Sequence, residues 1–131
     1  MPQKHTHFIV IDDDPINNLL CSKNIKKNIQ EADVITFTEA EKGLDHIKSF
    51  FNVPNVENAV LFLDINMPIM TGWEFMEEFE KLNTLIKEQI FIYILSSSID
   101  QEDKQKAKNH PDVIDYIEKP LYAEILKNTV V

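Results

Sequence analysis

The 131-residue chain contains no arginine: its 13 cationic side chains are all lysines, set against 22 acidic ones, for a formal net charge of −9. A balance of that sign repels phosphate backbones and anionic bilayers, which argues against nucleic-acid and membrane-surface partners. The missing guanidinium also removes the side chain best suited to bidentate recognition of phosphate or carboxylate. There is one cysteine, Cys21, so no internal disulfide can form. Its apolar neighbours Leu19, Leu20 and Ile25 predict a buried small hydrophobe rather than a reactive thiol, in a reducing, cytoplasmic setting. No apolar run approaches the ~20 residues that cross a bilayer, and Met1 to His7 lacks the apolar stretch of a secretory signal. His5, His7, His46 and His110 are scattered, so no Cys/His metal cluster is expected.

What the chain does have is alternation. Five apolar runs of strand length recur: Phe8–Ile11, Val34–Phe37, Val60–Leu63, Ile90–Leu95 and Val113–Ile117. Several are continuously apolar, the mark of strands covered on both faces. Between them lie helical patterns. Ala40, Leu44, Ile47 and Phe51 form one stripe within 39–51, and Phe75, Met76, Phe79 and Leu82 another within 71–83. Asp14 and Pro15 supply a cap and a first-turn proline for the first helix, whose apolar stripe is expected to run through Ile16, Leu19, Leu20, Ile25 and Ile29. The polar segment 100–109 reads as a thinly anchored surface helix, 121–129 as the last helix, and 52–58 as a loop. The whole is a (βα)5 pattern, an α/β, three-layer, doubly wound parallel five-stranded sheet with helices on both faces. One domain is expected over 1–131, with 1–6 a flexible tail.

In an open parallel sheet, ligands bind beyond the carboxyl ends of the strands. There the sequence places Asp12, Asp13 and Asp14 after the first strand and Asp64 after the third. Ser96, Ser97 and Ser98 follow the fourth strand, and Glu118-Lys119-Pro120 the fifth. Acids, hydroxyls and one ammonium thus converge from distant segments on one rim. Crowded carboxylates call for a cation, and hard oxygen ligands with room for water suit Mg²⁺. A bland alternative, that the aspartates only cap a helix, accounts for the triplet alone but not for the convergence.

These residues resemble the receiver domains of two-component response regulators, of the stand-alone CheY-like kind. Ile11-Asp12-Asp13-Asp14-Pro15-Ile16-Asn17 looks like the family's acidic opening. Leu63-Asp64-Ile65-Asn66-Met67-Pro68-Ile69-Met70-Thr71-Gly72 resembles its phospho-acceptor stretch, Ile94-Leu95-Ser96-Ser97 its hydroxyl segment, and Tyr116-Ile117-Glu118-Lys119-Pro120 its ending. The resemblance spans essentially the whole chain and implies a flavodoxin-like strand order, 2-1-3-4-5. It implies that Asp64 takes a phosphoryl group from a phosphohistidine of a sensor histidine kinase or histidine phosphotransfer protein. Asp13, Asp64 and the Asn66 backbone carbonyl would hold Mg²⁺, with Asp12 acting mainly through water, and Lys119 would supply the counter-charge. Ser96 and Tyr116 would form the switch, Asn66 and Ser98 would tune the phosphoryl lifetime, and a cis bond would join Lys119 to Pro120. Pro68 and Gly72 read as backbone devices, Gly72 expected at positive φ before the third helix. Trp73 and Phe75 read as packing residues.

Alternatives stay open at the level of residues. Three acids in a row leave the metal pair ambiguous, and the resemblance selects Asp12 and Asp13. Ser96 could cap the helix near Asp100, Tyr116 could be an ordinary edge-strand aromatic, and Lys119 a solvated charge. A second function is an aspartate-nucleophile phosphohydrolase of the haloacid-dehalogenase type using Asp12 and Asp14. It lacks the acidic pair expected after Lys119, where only Glu124 follows, and Asp64 falls on the wrong side of Ser96. A nucleotide or flavin carrier needs a phosphate cradle where three aspartates stand. The receiver reading makes the protein a signalling module rather than an enzyme. With no room for an output domain after Lys119, its expected output is binding to a downstream protein, as a monomer or a phosphorylation-dependent dimer. The first helix, through Asn17, Asn18 and Cys21, is expected to meet the phosphodonor.

Overall fold

The computed structural model describes residues 7–54 and 58–130. The expected tail 1–6 and residues 55–57 of the expected loop lie outside them. The order is β1 (His7–Ile11), α1 (Pro15–Asn28), β2 (Asp33–Phe37), α2 (Ala40–Phe50), β3 (Ala59–Leu63), α3 (Gly72–Glu80), α4 (Thr84–Lys87), β4 (Ile90–Ser96), α5 (Gln101–Asn109), β5 (Val113–Glu118) and α6 (Ala123–Val130). The strands form one parallel sheet in the order β2-β1-β3-β4-β5. Alternate strand residues face opposite layers, because successive side chains of a strand point to opposite sides. Ile9, Ile11, Leu61, Leu63, Ile92 and Ile94 meet Leu44 and Ile47 of α2 and Phe75 and Phe79 of α3 on one face. Phe8, Val10, Val60, Phe62, Tyr93 and Leu95 meet Cys21 and Ile25 of α1 and Leu126 of α6 on the other.

The register positions the site. Ile11 pairs with Leu63, so Asp12 and Asp64 leave the sheet side by side. Ser96 pairs with Glu118, so Lys119 emerges next to it. Helix starts are fixed by side chains that satisfy otherwise orphaned backbone N–H groups. Asp14 Oδ1 accepts from Ile16 N at 2.9 Å, Asp100 Oδ1 from Glu102 N at 2.9 Å, and Thr71 and Glu74 form a reciprocal capping box.

Four expectations need correction. First, α1 is rotated relative to its apolar pattern: Asn18, Cys21 and Ile25 are buried, while Ile16, Leu19 and Leu20 are 68%, 55% and 55% exposed. The Asn18 amide decides the rotation by donating to the carbonyls of Asp12 at 2.9 Å and Phe37 at 3.3 Å. Second, the third helix ends at Glu80, not 83. Third, the separate turn α4 follows it, capped by Asn83 Oδ1 accepting from Ile86 N at 3.0 Å. Fourth, Gly72 does not adopt positive φ; that conformation falls on Ile69, at φ 70°. Gly72 is needed for closeness instead, since a Cβ there would lie 2.5 Å from the Asp64 carbonyl oxygen and 2.6 Å from Ile65 Cα. At Ile69 the backbone makes a tight three-residue turn, Met70 N donating to the Pro68 carbonyl at 2.7 Å. A β-branched residue rarely occupies that region.

Candidate functional site

Ends of β1, β3, β4 and β5 form one rim. Asp12 is buried and fully engaged: its Oδ2 accepts from Lys119 Nζ at 2.6 Å and from Asn17 Nδ2 at 2.7 Å, and its Oδ1 from Asp14 N at 2.9 Å. Asp64 is also buried; its Oδ2 accepts from Lys119 Nζ at 3.4 Å and its Oδ1 from Asn66 N at 3.3 Å. Asp13 is exposed, yet its carboxylate joins those of Asp12 and Asp64 in a group whose ligand oxygens lie within 4.8 Å of one another. Asp14 is not in that group. Its carboxylate caps α1, which removes the second acid that the phosphohydrolase alternative requires.

Three carboxylates gathered around one ammonium leave negative charge uncompensated, and the electrostatics record it. Burial, reinforced by the Asp12 charge, holds the Asp64 carboxyl above the usual carboxylate range, against the opposing pull of Lys119. Burial works against the Lys119 ammonium, but its bond to Asp12 and the charges of Asp64 and Asp12 outweigh it and raise its pKa. The donor set, hard oxygens only, with two buried acids and one open to water, fits a hydrated divalent cation such as Mg²⁺. Cys21, 3.6 Å from Asn17 Nδ2, is no second nucleophile: burial pushes its thiol up to about 11.

Around this well stand the other candidates. Ser96, fully buried at the end of β4, accepts from Ser98 N at 3.2 Å, and Asp100 rather than Ser96 caps α5. Tyr116, half-buried on β5, donates through its hydroxyl to the Ser98 carbonyl at 2.6 Å. Ser98 Oγ donates to Asp103 Oδ2 at 2.9 Å, and Trp73 Nε1 donates to Asp103 Oδ1 at 3.0 Å. Trp73 is therefore more than the packing residue expected of it, and Asp103 carried no signal, standing 30 residues from its indole partner. The Lys119–Pro120 bond is cis. Asn17, which steadies Asp12 by donating to its Oδ2, was legible as part of the acidic opening and as a phosphodonor contact but not as a partner of that carboxylate. Asn18 and Cys21, expected with Asn17 to meet the phosphodonor, are buried, while Ile16, Leu19 and Leu20 are the exposed apolar residues of α1.

The sequence profile described as response regulator receiver domain matches residues 8–131. The chain belongs to that family. Among solved structures, a two-component response regulator from Cytophaga hutchinsonii is 28% identical with a TM-score of 0.86, over 96% of this chain and 94% of its own. A response regulator receiver protein from Dyadobacter fermentans DSM 18053 is also 28% identical, with a TM-score of 0.82 over 93% and 95%. The chemotaxis protein CheY4 of Vibrio cholerae, 22% identical with a TM-score of 0.74 over 95% of each chain, shares the fold. No curated protein matches the chain. As a receiver domain it is a signalling domain rather than a conventional enzyme, with the aspartate-bearing acidic pocket of its family. None of its described helices is long and apolar enough to cross a membrane.

Proposed function

We propose that this receiver domain, a single domain over 1–131, accepts a phosphoryl group on Asp64 from a phosphohistidine of a sensor kinase or phosphotransfer protein. The observation that carries the reading is Lys119 Nζ held 2.6 Å from Asp12 and 3.4 Å from Asp64, within a group of three aspartates. An ionised Asp64 oxygen forms the new O–P bond as the N–P bond of the donor imidazole breaks. Lys119, anchored on Asp12, stands ready to bond a phosphoryl oxygen, a fixed positive charge where negative charge gathers. Asp13, Asp64 and the Asn66 backbone carbonyl would hold Mg²⁺, with Asp12 acting mainly through water, and the ion when bound would neutralise charge on the transferring group.

The reading assigns Ser96 and Tyr116 to the switch. The added charge of roughly −1.5 to −2 draws the Ser96 hydroxyl toward the phosphoryl group, and Tyr116 follows, reshaping the surface of α5, β5 and α6 for a downstream protein. Asn66 and Ser98, beside the acceptor and the switch hydroxyl, tune how long the phosphoryl group lasts. The exposed Ile16, Leu19 and Leu20, next to Asp13 at the start of α1, supply an apolar face for the donor. One buried cysteine suits a cytoplasmic setting.

Mass spectrometry after incubation with Mg²⁺ and acetyl phosphate tests the proposal. One hydroxylamine-labile phosphoryl group is expected, absent from Asp64→Asn and after chelation of the metal. Phosphorylation that persists in Asp64→Asn, or that ignores chelation, overturns it.

A further inference from the structure

All three polar groups of Ser98 are committed, and two of them to the expected switch residues. Its N–H donates to Ser96 Oγ and its carbonyl accepts from Tyr116 Oη. Its hydroxyl donates to Asp103 Oδ2, and the same oxygen accepts from Asp100 N at 3.2 Å. Asp103 is itself held from the other side by the Trp73 indole, on the second residue of α3, just past the loop that carries Asp64. Lys106 Nζ lies 5.4 Å from the centre of that indole ring, over its face. A continuous set of hydrogen bonds therefore runs from α3 through α5 into the β4–α5 loop and on to β5. Nothing in the phosphoryl chemistry calls for Asp103, which touches none of the acidic group.

We infer that Asp103 is a positioning residue: by gripping the Ser98 hydroxyl against the Trp73 indole, it holds the β4–α5 loop in its unphosphorylated shape. This inference rests on the phospho-acceptor reading of Asp64. The physical argument is one of linkage. If phosphorylation requires Ser96 to turn inward and Tyr116 to leave the Ser98 carbonyl, any bond that fastens Ser98 in place opposes phosphorylation by its own worth. An ordinary hydrogen bond of that kind is worth about threefold to tenfold in an equilibrium. The carboxylate has two oxygens and uses one for each partner; an amide could still bond both, because the Ser98 hydroxyl also accepts, whereas alanine removes both bonds.

The experiment measures the steady-state fraction of phosphorylated Asp64 against acetyl phosphate concentration at fixed Mg²⁺, corrected for each protein's own rate of phosphoryl loss, in the wild type, Asp103→Ala, Ser98→Ala and the double variant. Half-saturation is expected to fall about threefold to tenfold in each single variant. The double variant is expected to fall no further than either one, because both changes break the same bond. Asp103→Glu, which keeps both acceptors, is expected to recover part of the shift. The emission of Trp73, the one tryptophan, supplies a second reading: phosphorylation of the wild type is expected to shift it toward the emission of unphosphorylated Asp103→Ala. A half-saturation unchanged in Asp103→Ala, or additive shifts in the double variant, overturns the inference while leaving Asp64 as acceptor. A wild type that gains no phosphoryl group on Asp64 overturns the acceptor reading and this inference with it.

Discussion

Helices α3 and α5 are both nine residues long and pack on the same face of the sheet, yet they are held in different ways. Helix α3 buries Gly72, Phe75, Met76 and Phe79 and starts on a complete capping box. Helix α5 buries Ala107 alone among the described residues, and is tied down by polar contacts: Asp103 to Trp73 and Ser98, and Lys104 to Glu118. Apolar packing has no cheap substitute, because a removed side chain leaves a void. Polar contacts at a surface can be exchanged for water or for another partner at little net cost. The helix welded to the core is the one behind the Asp64 loop; the one hung on exchangeable bonds borders the proposed switch. Regions that move are drawn from the loosely anchored end of a structure.

The largest way to break this contrast is at the core. Phe75→Ala is expected to cost about 3–5 kcal/mol in chemical denaturation, since the ring is fully buried against Ile11 and Leu63's layer of the sheet. A loss of under about 1 kcal/mol would mean that α3 is no better anchored than α5.

A smaller effect of opposite sign is expected at the acidic well. A carboxyl held above its ordinary range binds protons more tightly folded than unfolded, so stability falls as pH rises through the window between its unfolded and folded values. Above that window Asp64 is a net burden on the fold. Asp64→Asn is therefore expected to raise the unfolding midpoint at neutral pH, by less than Phe75→Ala lowers it. The gain should fade once the pH drops below the ordinary carboxylate value. Thermal melts of the two proteins across that range check it, and a gain that grows in acid would reverse the sign of the argument.

The smallest change is expected at the surface of α5. Lys104→Gln removes the ion pair with Glu118 and should cost about 0–1 kcal/mol, shrinking further in high salt. A loss comparable to that at Phe75 would show that α5 is fixed by charge as firmly as α3 is by packing.

The same difference explains what was legible in the sequence. The strands announce themselves through short, largely apolar runs, and the first one or two polar residues after the first, third, fourth and fifth runs mark the rim, which is why Asp12, Asp64, Ser96 and Lys119 could be placed before any coordinates. The rotation of α1 was not legible, because Ile16, Leu19 and Leu20 mimic a buried stripe while a buried polar residue, Asn18, sets the true face. Helix α4 is too short to leave a periodic pattern. The positive φ was assigned to Gly72 by residue type, but the tight turn fell three residues earlier, on Ile69. Contacts such as Trp73 to Asp103 depend on side-chain directions across 30 residues, and no local spacing encodes them.

Asp12 and Lys119 stand 107 positions apart and meet at 2.6 Å. During synthesis the acids of the well therefore leave the ribosome long before the amine that balances them. Until the fifth strand docks, a half-made chain carries these acids without the ammonium that balances them. On the proposed reading, the ability to take up phosphate doubles as a sign that the fifth strand has docked and brought Lys119 to Asp12.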